Sequence, residues 1–255
     1  RLALLLGLNR KFFVNEFLSG QAVLASSPIP PGNWAHHDSL TNAEYDPNNA
    51  ANLLSESGWS LPETDVGDIT DNFVLQKDGQ DLEFKLLVPN DDLSVVLGQI
   101  AVDDWGLLGI NALLQTVNPD VLKEEHLDTR EFQAIMIDVS LQRTPDPDPY
   151  PFWHQTEIES GQNYSGYDNR IISEYIEQAR TTPSISTRSS LYHMFQKRFV
   201  DDTPALLVYH PVYTYVTNKV VHGVQMGPIV EPSDRFNGIS DWYIVIRRVV
   251  GRLTN

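Results

Sequence analysis

The chain has 255 residues, 41% of them apolar and 20% charged, a composition that suits a folded domain and excludes a disordered or fibrous chain. Its 34 acidic against 18 basic residues give a formal charge of −16, so the surface repels phosphate backbones and nucleic acid is not an expected partner. No cysteine is present, which removes disulfides, thiolate metal sites and cysteine nucleophiles.

Leu2 to Leu8 opens the chain as a short apolar run, far below the ~20 residues of a membrane span. Asn9, Arg10 and Lys11 follow it where a signal peptide would carry small residues, so it reads as a helix face. Asp46-Pro47 starts a helix, with aspartate as N-cap and proline in the first turn, and Gly58 stands where a left-handed stop is wanted. Leu82 to Val88 alternates as a strand before Pro89. From Asp91 to Leu108, apolar residues recur at helical spacing until Gly109. Ile110 to Val117 reads as a strand, and Phe132 to Val139 as a near-continuous apolar one. A helical pair is expected at 169–180 and 187–200, with Tyr175, Leu191, Phe195 and Phe199 in the core. Ala205 to Tyr209 and Tyr213 to Val220 read as two more strands joined around Pro211. An irregular tail leads to an apolar stretch from Trp242 to Val250. Strand, helix, strand with short joins is the order of an α/β layer.

The segment richest in chemistry runs from Thr144 to His154. Alternate prolines at 145, 147, 149 and 151 disfavour a helix and push their neighbours toward extended geometry, giving a stiff loop after the strand 132–139. Ligands of α/β proteins bind beyond the carboxyl ends of strands, and a stiff loop loses little entropy on binding. Asp146, Asp148, Tyr150, Trp153 and His154, followed by Asn163, Tyr164 and Tyr167, supply the aromatic faces and directional polar groups of a small-molecule cleft.

Several of these strings occur together in one order: Ser27-Pro28-Ile29-Pro30-Pro31-Gly32 with Trp34, Tyr45-Asp46-Pro47 to Gly58-Trp59, and Leu108-Gly109-Ile110. Asp146-Pro147-Asp148-Pro149-Tyr150 with Phe152-Trp153-His154, Asn163 to Tyr167, Leu191-Tyr192 before Gln196, and Asp202 to Tyr209 follow. In this collinear set the chain resembles the family-5 extracellular solute-binding proteins, receptors for oligopeptides, dipeptides, nickel chelates and some oligosaccharides. The resemblance implies a lobe of periplasmic-binding-protein type, a mixed sheet flanked by helices, over residues 1–210. Residues 211–255 would then be a return segment completing the first lobe of a longer protein.

The resemblance further implies a monomeric receptor outside the cytoplasm that hands a peptide or oligosaccharide to ABC permease subunits. Any membrane attachment would come through an anchor outside this chain, and no cofactor or metal is expected. Trp34, Asp146, Asp148, Tyr150, Trp153, His154, Asn163, Tyr164 and Tyr167 are the expected ligand-facing residues. In dipeptide receptors of the family, an aspartate a few residues before the Asp-Pro-Asp string pairs with the ligand's α-amine. Arg143 stands near that place here, with the opposite charge. A carboxylate-dependent hydrolase using Asp146 and Asp148 is the alternative from another class, although two aspartates on one stiff strand flank a scissile bond poorly.

Overall fold

A computed structural model of the protein describes residues 1–62, 73–141, 146–227, 229 and 232–246. In chain order it begins with helices α1 (Leu2–Leu6) and α2 (Arg10–Glu16), strand β1 (Ala22–Leu24) and helix α3 (Pro47–Glu56). A hairpin of β2 (Gln76–Lys77) and β3 (Gln80–Asp81) precedes β4 (Glu83–Pro89), α4 (Asp92–Gly106) and β5 (Asn111–Val117). Helical turn α5 (Pro119–Val121) runs on into a π-helical turn, Leu122–Leu127, and then β6 (Ala134–Ile135). Short helices α6 (Tyr150–Trp153) and α7 (Glu157–Ser160) lead to the long pair α8 (Arg170–Thr181) and α9 (Ile185–Asp202). The described chain closes with β7 (Tyr209–Pro211), β8 (Val221–His222) and β9 (Tyr243–Ile244).

Local chemistry explains the long elements. Asp46 accepts from Asn49 N–H at 3.0 Å, Pro47 occupies the first turn of α3, and Gly58 takes φ +88° beyond its end. Asp91 accepts from Ser94 N–H to start α4, and Asn169 accepts from the N–H groups of Ile171 and Ile172 to start α8. The Asp78-Gly79 turn, both residues at positive φ, closes the β2–β3 hairpin.

The central sheet has the order β5-β4-β6, all parallel, with Leu86 opposite Leu114 on one side and Ala134 on the other. Among the described residues, antiparallel ladders form separate ribbons, β1 with β7, β2 with β3 and β8 with β9, and Ser60 bridges to Gln76. Period-2 geometry splits β4 between two layers. Leu86 and Val88 pack with Ala101, Trp105, Leu6 and Leu54 from the α4, α1 and α3 side. Leu87 faces the opposite layer with Val117 and Leu122. Gly98 lets α4 lie close on the sheet, since a Cβ there would meet Leu114 Cδ1 at 2.7 Å.

The helical pair builds a further core, in which Ile172, Ile176, Leu191, Tyr192, Phe195 and Phe199 enclose Ile29, Ala35 and Trp153. The segment 205–209 stitches the cores together. Leu206 faces the sheet core, Ala205 and Leu207 the helical core, and Val208 and Tyr209 the group around Phe13 and Leu97. Arg10, 3% exposed, reinforces the seam by donating to the carbonyls of Ala25, Leu207 and Ala43.

Three expectations change. The apolar run 132–139 pairs as a strand only at Ala134–Ile135, because the Gln133 side chain accepts from Lys85 N–H and takes the place of a ladder bond. Tyr213–Val220 forms no ladder. The pairing falls instead on Tyr209–Pro211, with Pro211 itself opposite Ala22 on a ribbon edge, where a missing N–H is tolerated. The proline-rich loop does contain one helical turn, α6, because Pro151 sits in its first turn, where no intrahelical donor is needed.

Candidate functional site

Strand β4 comes first in the chain yet lies between β5 and β6, so the crossover from β4 to β5 and the one from β5 to β6 run in opposite directions. Outside the carboxyl ends of strands at such a reversal is where α/β folds place ligands. Those ends are Asn90-Asp91 and Asn118, with the stretch after β6 that leads toward Asp146. Arg143 and the beginning of the proline-rich loop lie outside the described residues.

Asp146 and Asp148 are half-buried and diverge to different helices. Asp146 accepts from the Tyr192 hydroxyl at 2.8 Å and pairs with Arg188, both on α9. Arg188 lies 5.4 Å over the ring of Trp34, and Trp34 meets Tyr192 edge-on at 5.9 Å. Asp148 accepts from Tyr150 N–H and takes a forked guanidinium from Arg180 at the end of α8, with Nε at 2.9 and 3.1 Å from its two oxygens. That carboxylate raises the pKa of Arg180 above its ordinary value.

Arg180 also lies 3.8 Å over the Tyr150 ring, which stacks on His154 with centroids 4.0 Å apart. His154 Nε2 is 2.9 Å from Glu177, and the hydrogen bond with His154, followed by that from Arg170, lowers the Glu177 pKa. Trp34, Asp146, Asp148, Tyr150 and His154 are therefore joined in one ribbon of alternating rings and charges along α8 and α9.

The remaining expected residues form a second group. Asn163, 1% exposed, donates to the carbonyls of His154 and Tyr167 and accepts from Tyr167 N–H and the Ser165 hydroxyl, which knits the loop 161–167 to the end of α6. Tyr164 lies under Arg130, whose guanidinium is 4.4 Å from the ring centre. The Tyr167 hydroxyl donates to Asp202 at 2.5 Å; burial, then that carboxylate, pushes the phenol far above its usual pKa. Trp153 packs edge-on against Phe199 at 4.6 Å in the helical core.

Trp153, His154 and Asn163 thus turn inward. Trp34 is exposed, and Asp146, Asp148, Tyr150, Tyr164 and Tyr167 are half-buried. Sequence reasoning missed Arg180, Arg188 and the Tyr192 hydroxyl, the partners of the two aspartates. The spacing of Arg188 and Tyr192, four apart on one helix, would place them on one face, but nothing local names their partner.

The family model for bacterial extracellular solute-binding proteins, family 5 (middle region), matches residues 1–161. The chain belongs to this family. This family-5 chain is 25% identical over 252 residues to the oligopeptide-binding protein AppA of Bacillus subtilis, a match covering 96% of the chain and 43% of AppA. It is 25% identical over 240 residues to the dipeptide-binding protein of Escherichia coli, covering 90% and 40%. The chain spans less than half the length of these curated relatives. The solved structure of Bacillus subtilis AppA in complex with a nonapeptide superposes with a TM-score of 0.75 at 22% identity, covering 96% of this chain and 47% of that one. NikZ from Campylobacter jejuni in complex with Ni(L-His) gives 0.71 at 20%, covering 95% and 48%. The family-5 chain therefore shares the fold of these binding proteins.

Proposed function

We propose that this chain is the ligand-binding lobe, residues 1–210, of the solute-capturing component of an ABC importer. The receptor takes a peptide or peptide-like solute, closes on it by hinge motion, and presents it to membrane permease subunits outside the cytoplasm. The observation that carries this reading is the family match over residues 1–161, which ends in the ribbon beyond the parallel strands. The nonapeptide complex of AppA and the names of the dipeptide-binding relatives favour peptide over oligosaccharide. Trp34, Tyr150, Tyr164 and Tyr167 supply the accessible rings, and Asp146 and Asp148 the carboxylates of the solute-facing edge. Trp153, His154 and Asn163 stand behind them and hold its shape.

Residues 211–255 are proposed to complete the other lobe. The four described cores include no residue after Tyr209. Beyond it, Val216, Val245 and Ile246 are 83%, 61% and 86% exposed, an apolar surface that suits burial against further chain. The hydrolase alternative draws no support, because each aspartate is engaged by its own arginine on a different helix.

A thermal-shift screen of the full-length receptor against peptides and oligosaccharides tests the assignment, since a ligand of the native state raises Tm. Peptides should shift the wild type and shift Trp34→Ala less. A shift by oligosaccharides alone, or by neither class, would refute the peptide reading.

A further inference from the structure

We propose that the loop carrying Trp34 is held by a histidine latch that loosens as the surroundings acidify. The loop, residues 27–37, crosses α9 and β7. His193 on α9 places Nε2 3.1 Å from the His36 carbonyl, His210 on β7 places Nε2 3.1 Å from the Ser27 carbonyl, and His36 Nδ1 is 2.7 Å from the Ile29 carbonyl. A carbonyl only accepts, so each of these nitrogens carries the proton. In a neutral imidazole the opposite nitrogen is then bare, and a second proton there leaves these three bonds in place, so the response to acid lies in how the rings face one another.

The neighbouring His37 turns the other way. Its ring stacks on His193 with centroids 4.5 Å apart and planes at 32°, and its Nδ1 meets the Ser39 hydroxyl at 3.1 Å. A second proton on both rings would set two cations face to face. The charges felt at His37 are those of His193 on α9 and of His36 and Asp38 on the loop, so one carboxylate stands against two imidazoles. At His210, on β7, His36 acts in the same repulsive sense. Desolvation, then His193, holds His37 below the ordinary histidine value; desolvation does the same at His210, although its bond to the Ser27 carbonyl favours the charged ring.

Released from the latch, His37 and His210 would titrate near about 6.5. The released loop therefore binds more protons. The latch is strongest above that value and weakens as pH falls below it. Gln196 is the fixed end, because its amide holds the Ala35 carbonyl and accepts from His37 N–H and does not titrate. With the His37–His193 contact turned repulsive, Gln196 is left to hold Trp34 to Leu40, so this stretch opens more often and Trp34 separates more readily from Tyr192 and Arg188. If the proposed function holds, the solute is retained less tightly at acidic pH.

Amide hydrogen exchange of the full-length protein at about pH 7.5 and about pH 5.5, corrected for intrinsic rates, tests the latch without any solute. Protection of 34–40 should fall at the lower pH relative to 191–199. His193→Gln and, separately, His37→Gln should diminish that difference, and His37 in the His193→Gln variant should titrate closer to 6.5 by NMR. Equal relative protection at both pH values, or an undiminished response in both variants, overturns the latch. A latch that opens while peptide affinity stays constant would overturn only its consequence for solute retention.

Discussion

Gln196→Leu is the sharpest probe of how the helical core holds the Trp34 loop. Gln196 is fully buried, accepts from the Ser27 hydroxyl at 2.8 Å and from His37 N–H at 3.2 Å, and donates to the Ala35 carbonyl at 2.8 Å. Leucine fills most of the volume, so the perturbation is polar. Ser27 keeps its bond to the Ile29 carbonyl, and the Tyr192 carbonyl has its ordinary helical acceptor role to fall back on. The Ala35 carbonyl and His37 N–H are left without Gln196. At ~1–3 kcal/mol for each such group, and with His37 partly open to water, the loss should be about 3 kcal/mol. For a unit of this size that is a fall in Tm of about 6–12 °C. Differential scanning calorimetry measures it. A fall below about 3 °C would mean that water or backbone relaxation replaces the amide and that the clip does not hold the loop.

Gly98→Ala should destabilise by about 1–3 kcal/mol despite alanine's helix preference, because the new methyl would meet Leu114 Cδ1 at 2.7 Å and Val88 Cγ1 at 3.1 Å. Leu114→Ala in the same chain should recover part of that loss in urea unfolding, since it vacates the contested space. Asp91→Ala removes the α4 cap and should cost about 1 kcal/mol at neutral pH. Hydrogen bonds from Ser94 depress the Asp91 pKa. Its contribution is therefore present above the unfolded value of about 3.9 and lost as pH falls through the lower folded value. The gap between wild type and variant should narrow in denaturation curves collected below about pH 4.

Much of the fold was legible because it rests on local rules. The caps at Asp46 and Asp91, the stops at Gly58 and Gly109 and the apolar spacing of 91–108 and 169–200 act within a turn or two of themselves. Those elements lie where the spacing predicts them, within a residue or two at each end. Strand limits were less legible, since pairing needs a partner from elsewhere in the chain. The 132–139 run looks like a strand by composition, yet a side-chain amide replaces part of its ladder.

By itself the sequence determined the strand–helix–strand order, the helical pair, the stiff acidic loop after the last parallel strand, and the collinear motifs of family 5. The tertiary structure decided what the loop's side chains do. Asp146 meets Tyr192 46 positions away and Asp148 meets Arg180 32 away, while His154 and Asn163 turn inward to bond with Glu177 and with the His154 carbonyl. The physical reason is range. Caps, turns and periodicity are set by neighbours in the chain, whereas the burial and partner of a charge depend on which distant helix packs beside it.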